Sequence, residues 1–310
     1  MSTLGSVSTP PSIALRVWNR LPVAIRAVLS GITMGLLGSI PWLVLSDANQ
    51  RHVPSVPWAV LPASLYLWGY WRYAGGSGWP ASTRDARRTN RRRLILTEEI
   101  WGAALLAGIL GLISLVAFLR VVNRMVALPQ QSTADVSHIP GVTLFGLLLM
   151  ATLVSGVVEE VSFRGYMQRP MEVRFGPTAA ILITGVIFGF AHFGHPEVTL
   201  RLLPYYLAVA AVYGSLAYLT DSVLPSMFLH VVGNGFSYLR LFAAGTSEWQ
   251  TTARPRPLIW HGRADASFWL SVAISLALAT ATVWAYTRLA QVARLERSAG
   301  MRQTRLTRHA

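Results

Sequence analysis

Apolar residues in this chain are gathered into long blocks separated by short polar stretches. Eight blocks are evident, roughly Val23 to Leu45, Val53 to Tyr70, Ile100 to Leu119, Val142 to Val158, Thr178 to Ala191, Leu202 to Leu219, Val223 to Phe242 and Ala266 to Tyr286. Most approach the length of about 20 residues that a helix needs to cross a bilayer core. The predicted fold is therefore all-α, a polytopic transmembrane helical bundle of about eight spans. The second block is the weakest, because Pro54, Pro57 and Pro62 interrupt it. Proline is tolerated in membrane helices where neighbouring groups satisfy the freed carbonyls.

Composition agrees with this pattern. Of 310 residues, 53% are hydrophobic and only 13% charged. A soluble domain carries about 25% charged residues and could not clothe its surface with so few. With no cysteine, a disulfide scaffold, a thiolate metal site and a cysteine nucleophile are all excluded. The net charge of +14 raises the question of nucleic acid. Its arginines lie at the ends of the apolar blocks, where juxtamembrane arginine belongs, so no nucleic-acid partner is expected. All Lys/Arg positions are Arg, which suggests a GC-rich bacterial source and an inner (plasma) membrane location.

Arginine placement also predicts orientation. Arg16, Arg20 and Arg26 flank the first span, the run Arg84 to Arg93 lies between the second and third, and Arg164, Arg169 and Arg174 follow the fourth. Arg288, Arg294, Arg297, Arg302, Arg305 and Arg308 lie in or after the end of the eighth. With eight spans these all fall on one side, so both termini are predicted to be cytoplasmic. The chain then divides into a flexible cytoplasmic N-terminus (1–22), N-terminal transmembrane helices (23–141) with a basic cytoplasmic loop at 71–93, a core (142–242), an extracytoplasmic loop (243–265), and a last transmembrane helix with a basic tail (266–310). The basic loop is expected to set topology and to meet anionic head groups of the lipid bilayer.

Ionisable groups within membrane spans are costly and by default mark function. Glu159 and Glu160 end the fourth span. Neighbouring helical residues point about 100° apart, so the two carboxylates should have different tasks. Arg164 lies four residues after Glu160, the favourable order for a helical ion pair. Glu159 is left to face a cavity as a general base. Alone, the cluster would also suit a juxtamembrane Glu/Arg pair. His192 ends the fifth span and could equally be a packing residue; His195, beside Pro196, is expected in a loop. His230 and Asn234 lie four apart in the seventh span, on one helix face. Two donors aimed at one point suit an oxyanion, and they would also suit helix–helix hydrogen bonding. Gly233 and Gly235 flank Asn234 and would permit close helix approach. Glu98 and Glu99 follow Thr97 at a helix start, where a cap and the positive helix end account for them.

The motifs Glu159-Glu160-x-x-x-Arg164, Phe188-x-x-x-His192 and His230-x-x-x-Asn234, in that order on separate spans, resemble the CAAX protease and bacteriocin-processing (CPBP, or Abi) family. Phe163, Arg164 and Gly165 extend the first motif in the family's manner, and the resemblance covers roughly residues 142 to 240. It implies an eight-helix bundle with a water-filled cavity open to membrane and cytoplasm. Glu159 and His192 would activate water there, and His230 and Asn234 would stabilise the tetrahedral oxyanion. Glu160 belongs to the catalytic set, with Arg164 and Phe188 supporting it.

A glutamate base requires no cofactor, and that mechanism is preferred here. Zinc held by Glu159, His192 and His230 is the alternative, since a catalytic zinc site needs three protein ligands and an open position. The expected activity is hydrolysis of a peptide bond in a membrane-associated protein or peptide. A prenylated C-terminus, a leader or bacteriocin-like peptide, and a sorting tail are candidate substrates; for a bacterial source the prenylated one is the least expected and a leader or sorting tail the more natural. Two other classes compete: a non-catalytic peptide-binding or immunity protein, and a proton-coupled transporter. The transporter reading predicts internal repeats, and none is visible.

Overall fold

The computed structural model describes residues 13–127, 138–192, 200–244, 257–262 and 264–306. Among these the chain is all-helical, apart from one isolated antiparallel bridge between Arg93 and Ser222. In chain order the helices are α1 (Ile13–Arg20), α2 (Val23–His52), α3 (Val60–Ala74), α4 (Arg84–Arg91), α5 (Glu98–Met125), α6 (Gly141–Glu159), α7 (Arg169–Phe175), α8 (Pro177–Ala191), α9 (Leu203–Thr220), α10 (Leu224–Ala244) and α11 (Ala266–Leu306). A π-helical segment, Glu160–Gln168, joins α6 to α7.

Each of the eight apolar blocks coincides with a helix. Five stretches are long and apolar enough to cross a membrane: α2, α5, α6 with its π-helical continuation and α7, α9 with the turn before it, and α11. Large apolar side chains such as Leu65, Trp68, Leu276 and Trp284 stand exposed on the outside. In water such a surface would be an aggregation hazard, whereas lipid accepts it. The protein is an integral membrane protein.

The helix of the second apolar block begins later than expected, at Val60 rather than near Val53. Pro54 and Pro57 lie in a turn organised by buried Asn49. Its amide donates to Val53 O (2.9 Å) and Val56 O (3.0 Å), and its oxygen accepts from Ala59 N (2.9 Å). Residues 13–20 are helical where a flexible N-terminus was expected. The capping reading of Thr97 holds, because its hydroxyl accepts from Ile100 N at 3.4 Å.

The basic loop is more than a charged fringe. Arg87 is buried and donates to the carbonyls of Tyr73, Ser77, Gly78 and Pro80. Arg92 is buried too, within 2.8 Å of Glu172 and 3.1 Å of Asp221. These arginines are internal struts, whereas Arg84, Arg88 and Arg93 remain exposed.

The connections sort to two ends of the bundle. At one end Arg92 and Arg169 both reach Asp221, Arg92 O accepts from Val223 N, and Arg297 donates to Leu219 O. At the other end Arg124 meets Pro257 O and Asp265, and the Trp260 indole donates to Met125 O. One core is built from α5, α8, α9, α10 and α11, and a second from α2, α3, α6 and the π-helical segment. The Glu-Glu motif thus lies where the two cores meet.

Candidate active site

Four of the predicted catalytic side chains converge on one cavity of about 560 Å³. Glu159 enters from the end of α6, His192 from the end of α8, and His230 and Asn234 from α10. The rest of the wall is largely apolar and aromatic, with Leu112, Tyr205, Tyr206 and Tyr213 among its members. Few polar groups in an apolar hollow is the usual character of a ligand site.

Glu160 takes another position. It is fully buried and lies behind His230 rather than on the cavity wall. The helix changes character at this residue. From Glu160 to Gln168 it runs as a π-helix, a rare i→i+5 geometry found mostly at functional sites. The ion pair read from α-helical spacing still forms, with Arg164 Nη1 3.5 Å from Glu160 Oε1 and both side chains almost inaccessible. The Arg164 guanidinium also lies over the rings of Phe188 (4.9 Å) and Tyr213 (5.4 Å), where the negative ring faces attract a cation. Phe188 therefore supports the pair as well as the cavity wall.

His230 lies between the two carboxylates. Its Nδ1 is 2.8 Å from Glu160 Oε1 and its Nε2 is 3.6 Å from Glu159 Oε2. An ionised carboxylate can only accept, so the Arg164-paired Glu160 places a proton on Nδ1 and turns Nε2 toward Glu159 and the cavity. The imidazole stacks almost flat on Tyr213, 4.9 Å between centroids at 13°. His230 is thus the side chain that stands beside Glu159, while His192, expected to work with the base, lines the same cavity from the end of α8. His192 Nδ1 lies 2.7 Å from Phe188 O, and its ring packs between Phe188 (4.5 Å) and Tyr206 (4.8 Å). His195 falls outside the described residues.

Asn234 donates from Nδ2 to Ser155 Oγ at 2.8 Å. Helices α6 and α10 therefore carry two matched polar rungs, Ser155 with Asn234 and Glu159 with His230. Each member is four residues from the next, and the helices run antiparallel. Two glycines hold this register. Gly156 lets α6 press against Val231, whose backbone N lies 3.1 Å from where a Cβ would stand. Gly108 of α5 receives Leu229. His230 is thus clamped from both sides by its sequence neighbours. The expected close approach at Gly233 and Gly235 is not where the helices are tightest. A Cβ at those positions would meet nothing nearer than Tyr213 Oη at 3.4 Å and Thr152 at 4.0 Å.

Ser155 and Tyr213 were missed by sequence reasoning. A signal existed for Ser155, since it precedes Glu159 by the same four residues that separate His230 from Asn234. Tyr213 lies in an apolar span with nothing to mark it. As for zinc, Glu159 and His230 are adjacent and His192 shares their cavity. Among the described residues, however, no three His, Asp or Glu side chains are grouped to hold an ion. The residues named for zinc do not form a ready three-ligand site.

Comparison with known proteins adds one match. Residues 141–236 fit the family model described as type II CAAX prenyl endopeptidase Rce1-like. No curated protein and no solved structure matches the chain. The matched stretch begins with α6 and ends just beyond Asn234, so it holds every motif residue, the π-helical segment and both rungs. Residues 141–236 of this membrane protein are thus similar to the Rce1-like family, over the same stretch whose motifs resemble the CAAX protease and bacteriocin-processing family.

Proposed function

We propose that this protein is an intramembrane endopeptidase that hydrolyses a peptide bond in a membrane-associated protein or peptide. The observation that carries the proposal is the convergence of Glu159, His192, His230 and Asn234 on one largely apolar cavity. A bilayer-embedded bundle has no structural need for four such groups, each costly in lipid.

Glu159 takes a proton from water held with His192, and the hydroxide adds to the scissile carbonyl carbon. The carbonyl oxygen becomes an oxyanion facing donors from α10. Asn234 donates through its amide. His230, whose Nδ1 proton is committed to Glu160, donates from Nε2 once the adjacent Glu159 has passed it the proton. Collapse breaks the C–N bond, and the same proton leaves on the amine. A base contributes about 10²–10⁴-fold, and each oxyanion donor about 10²–10³-fold.

No step here requires a metal. Retained cleavage by metal-stripped protein supports this, and stoichiometric metal that disappears in His192→Ala overturns it. The description of the matching family names a CAAX prenyl endopeptidase, which makes a prenylated C-terminus one candidate beside a leader peptide and a sorting tail. We place the protein in a bacterial inner membrane with both termini cytoplasmic, which tags on the two termini would test. The deciding experiment compares the membrane and secreted peptides of cells carrying wild type or Glu159→Gln. A fragment that vanishes in the variant identifies substrate and cleavage site together. Unchanged peptide profiles, with the variant present at wild-type level, exclude proteolysis.

A further inference from the structure

We infer that Ser155, which belongs to none of the three motifs, is a positioning residue that fixes which end of the Asn234 amide faces the reaction. The inference rests on the peptidase reading and goes beyond it. An asparagine amide is nearly symmetric in shape, and only its hydrogen-bond partners decide whether nitrogen or oxygen occupies a given place. If the oxygen faced a developing oxyanion, two acceptors would oppose each other. The oxyanion role of Asn234 therefore needs something that reads the difference between N and O.

Ser155 can do so because its single proton is already committed. Its hydroxyl donates to Thr152 O at 3.3 Å, one turn earlier on α6. What it can offer Asn234 is a lone pair, and Asn234 Nδ2 donates to it at 2.8 Å. The amide nitrogen is thereby drawn toward α6, the helix that carries Glu159. The second N–H of the same nitrogen is left to serve the cavity, which Ser155 and Asn234 both line. The Ser155–Asn234 rung repeats the logic of the rung below it. There Arg164 fixes Glu160, and Glu160 fixes the His230 tautomer. Each proposed donor on α10 is oriented by a side chain on α6 or its π-helical continuation, and that side chain is itself held by a third group.

The prediction concerns rate, not binding. Ser155→Ala leaves Asn234 in place but frees its amide to turn, so kcat should fall about tenfold, the worth of one hydrogen bond, with KM unchanged. Ser155→Thr keeps the hydroxyl and should restore most of the rate. In an Asn234→Ala background, Ser155→Ala should cost nothing more, because its only task has gone. The assay is a synthetic peptide spanning the cleavage site found from the Glu159→Gln comparison, with purified variants and their unfolding midpoints measured in detergent.

Each outcome decides something. Equal rates for wild type and Ser155→Ala sink the inference. So does a tenfold loss that multiplies with Asn234→Ala, or one accompanied by a raised KM and a lowered unfolding midpoint that Ser155→Thr does not restore. A peptide profile independent of Glu159 overturns the peptidase reading instead, and with it this inference. Loss in Glu159→Gln with full rate in Ser155→Ala leaves the peptidase standing and removes only Ser155.

Discussion

Gly156→Ala is the most direct perturbation of the helix register that brings the site together. The added Cβ would lie 3.1 Å from Val231 N and 3.3 Å from Val231 Cα, and closer still to a Val231 methyl. Ordinary carbon contacts are about 3.5–4.0 Å, so α6 and α10 must part by several tenths of an ångström to about 1 Å. Two opposing effects set the stability. Replacing a mid-helix glycine by alanine favours the helix by about 1 kcal/mol, whereas overpacking costs about 1–3 kcal/mol. The net expectation is a loss of up to about 2 kcal/mol. Activity should suffer more. Glu159 and His230 flank this contact with 3.6 Å between their polar atoms, and a 1 Å misplacement can cost about 10²-fold in rate. The assay pairs kcat on the cleavage-site peptide with unfolding in detergent. Gly102→Ala is the control, because a Cβ there meets nothing within 4 Å; it should keep full activity. Trimming the neighbour as well, in Gly156→Ala/Val231→Ala, should recover part of the rate. A fully active Gly156→Ala with unchanged or raised stability would refute the account of how α10 is held.

Two further expectations follow from charges in contrasting settings. Glu160→Gln strips the buried Arg164 of its counter-charge, where both side chains are almost inaccessible. A loss of about 3–5 kcal/mol is expected, and Glu160→Gln/Arg164→Met should regain much of it; equal stability of single variant and wild type in denaturant titration would contradict this. At the other end of the bundle, Ser267, Arg124 and the Phe268 N–H hold the Asp265 carboxyl well below the usual carboxylate range. A depressed folded value means that the contribution of this group is complete above the unfolded carboxylate range, about pH 4, and is lost only as pH falls through the lower folded value. Emission from Trp260, whose indole donates to Met125 O beside Arg124, should therefore hold steady from neutral pH to about pH 4 and change below it, and Asp265→Asn should abolish that acid transition.

Part of the site was legible without a fold. Glu159, His192, His230 and Asn234 stand out because an ionisable or amide group in an apolar block needs a reason, and all four do reach one cavity. What stayed hidden was the partnership across helices. The helical period joined Glu160 to Arg164 correctly, since four residues is a local distance. It could not show that His230, 70 residues further on, comes between Glu160 and Glu159. Nor could it show that the tight helix contact falls at Gly156, one residue from Ser155, and not beside Asn234.

The sequence by itself determined that the chain is helical and membrane-embedded, because span length and apolar content are properties of each segment alone. It also determined which side chains are too costly in lipid to be incidental. The tertiary structure decided the register. The placing of Val231 against Gly156 and Leu229 against Gly108 aligns Ser155 with Asn234 and Glu159 with His230. It likewise separated the arginines of the basic loop into exposed ones, the half-buried Arg91 on Trp71, and the buried struts Arg87 and Arg92. Both results depend on contacts between residues far apart in the chain, and volume and hydrogen-bond complementarity across helices select those contacts. No local periodicity records them.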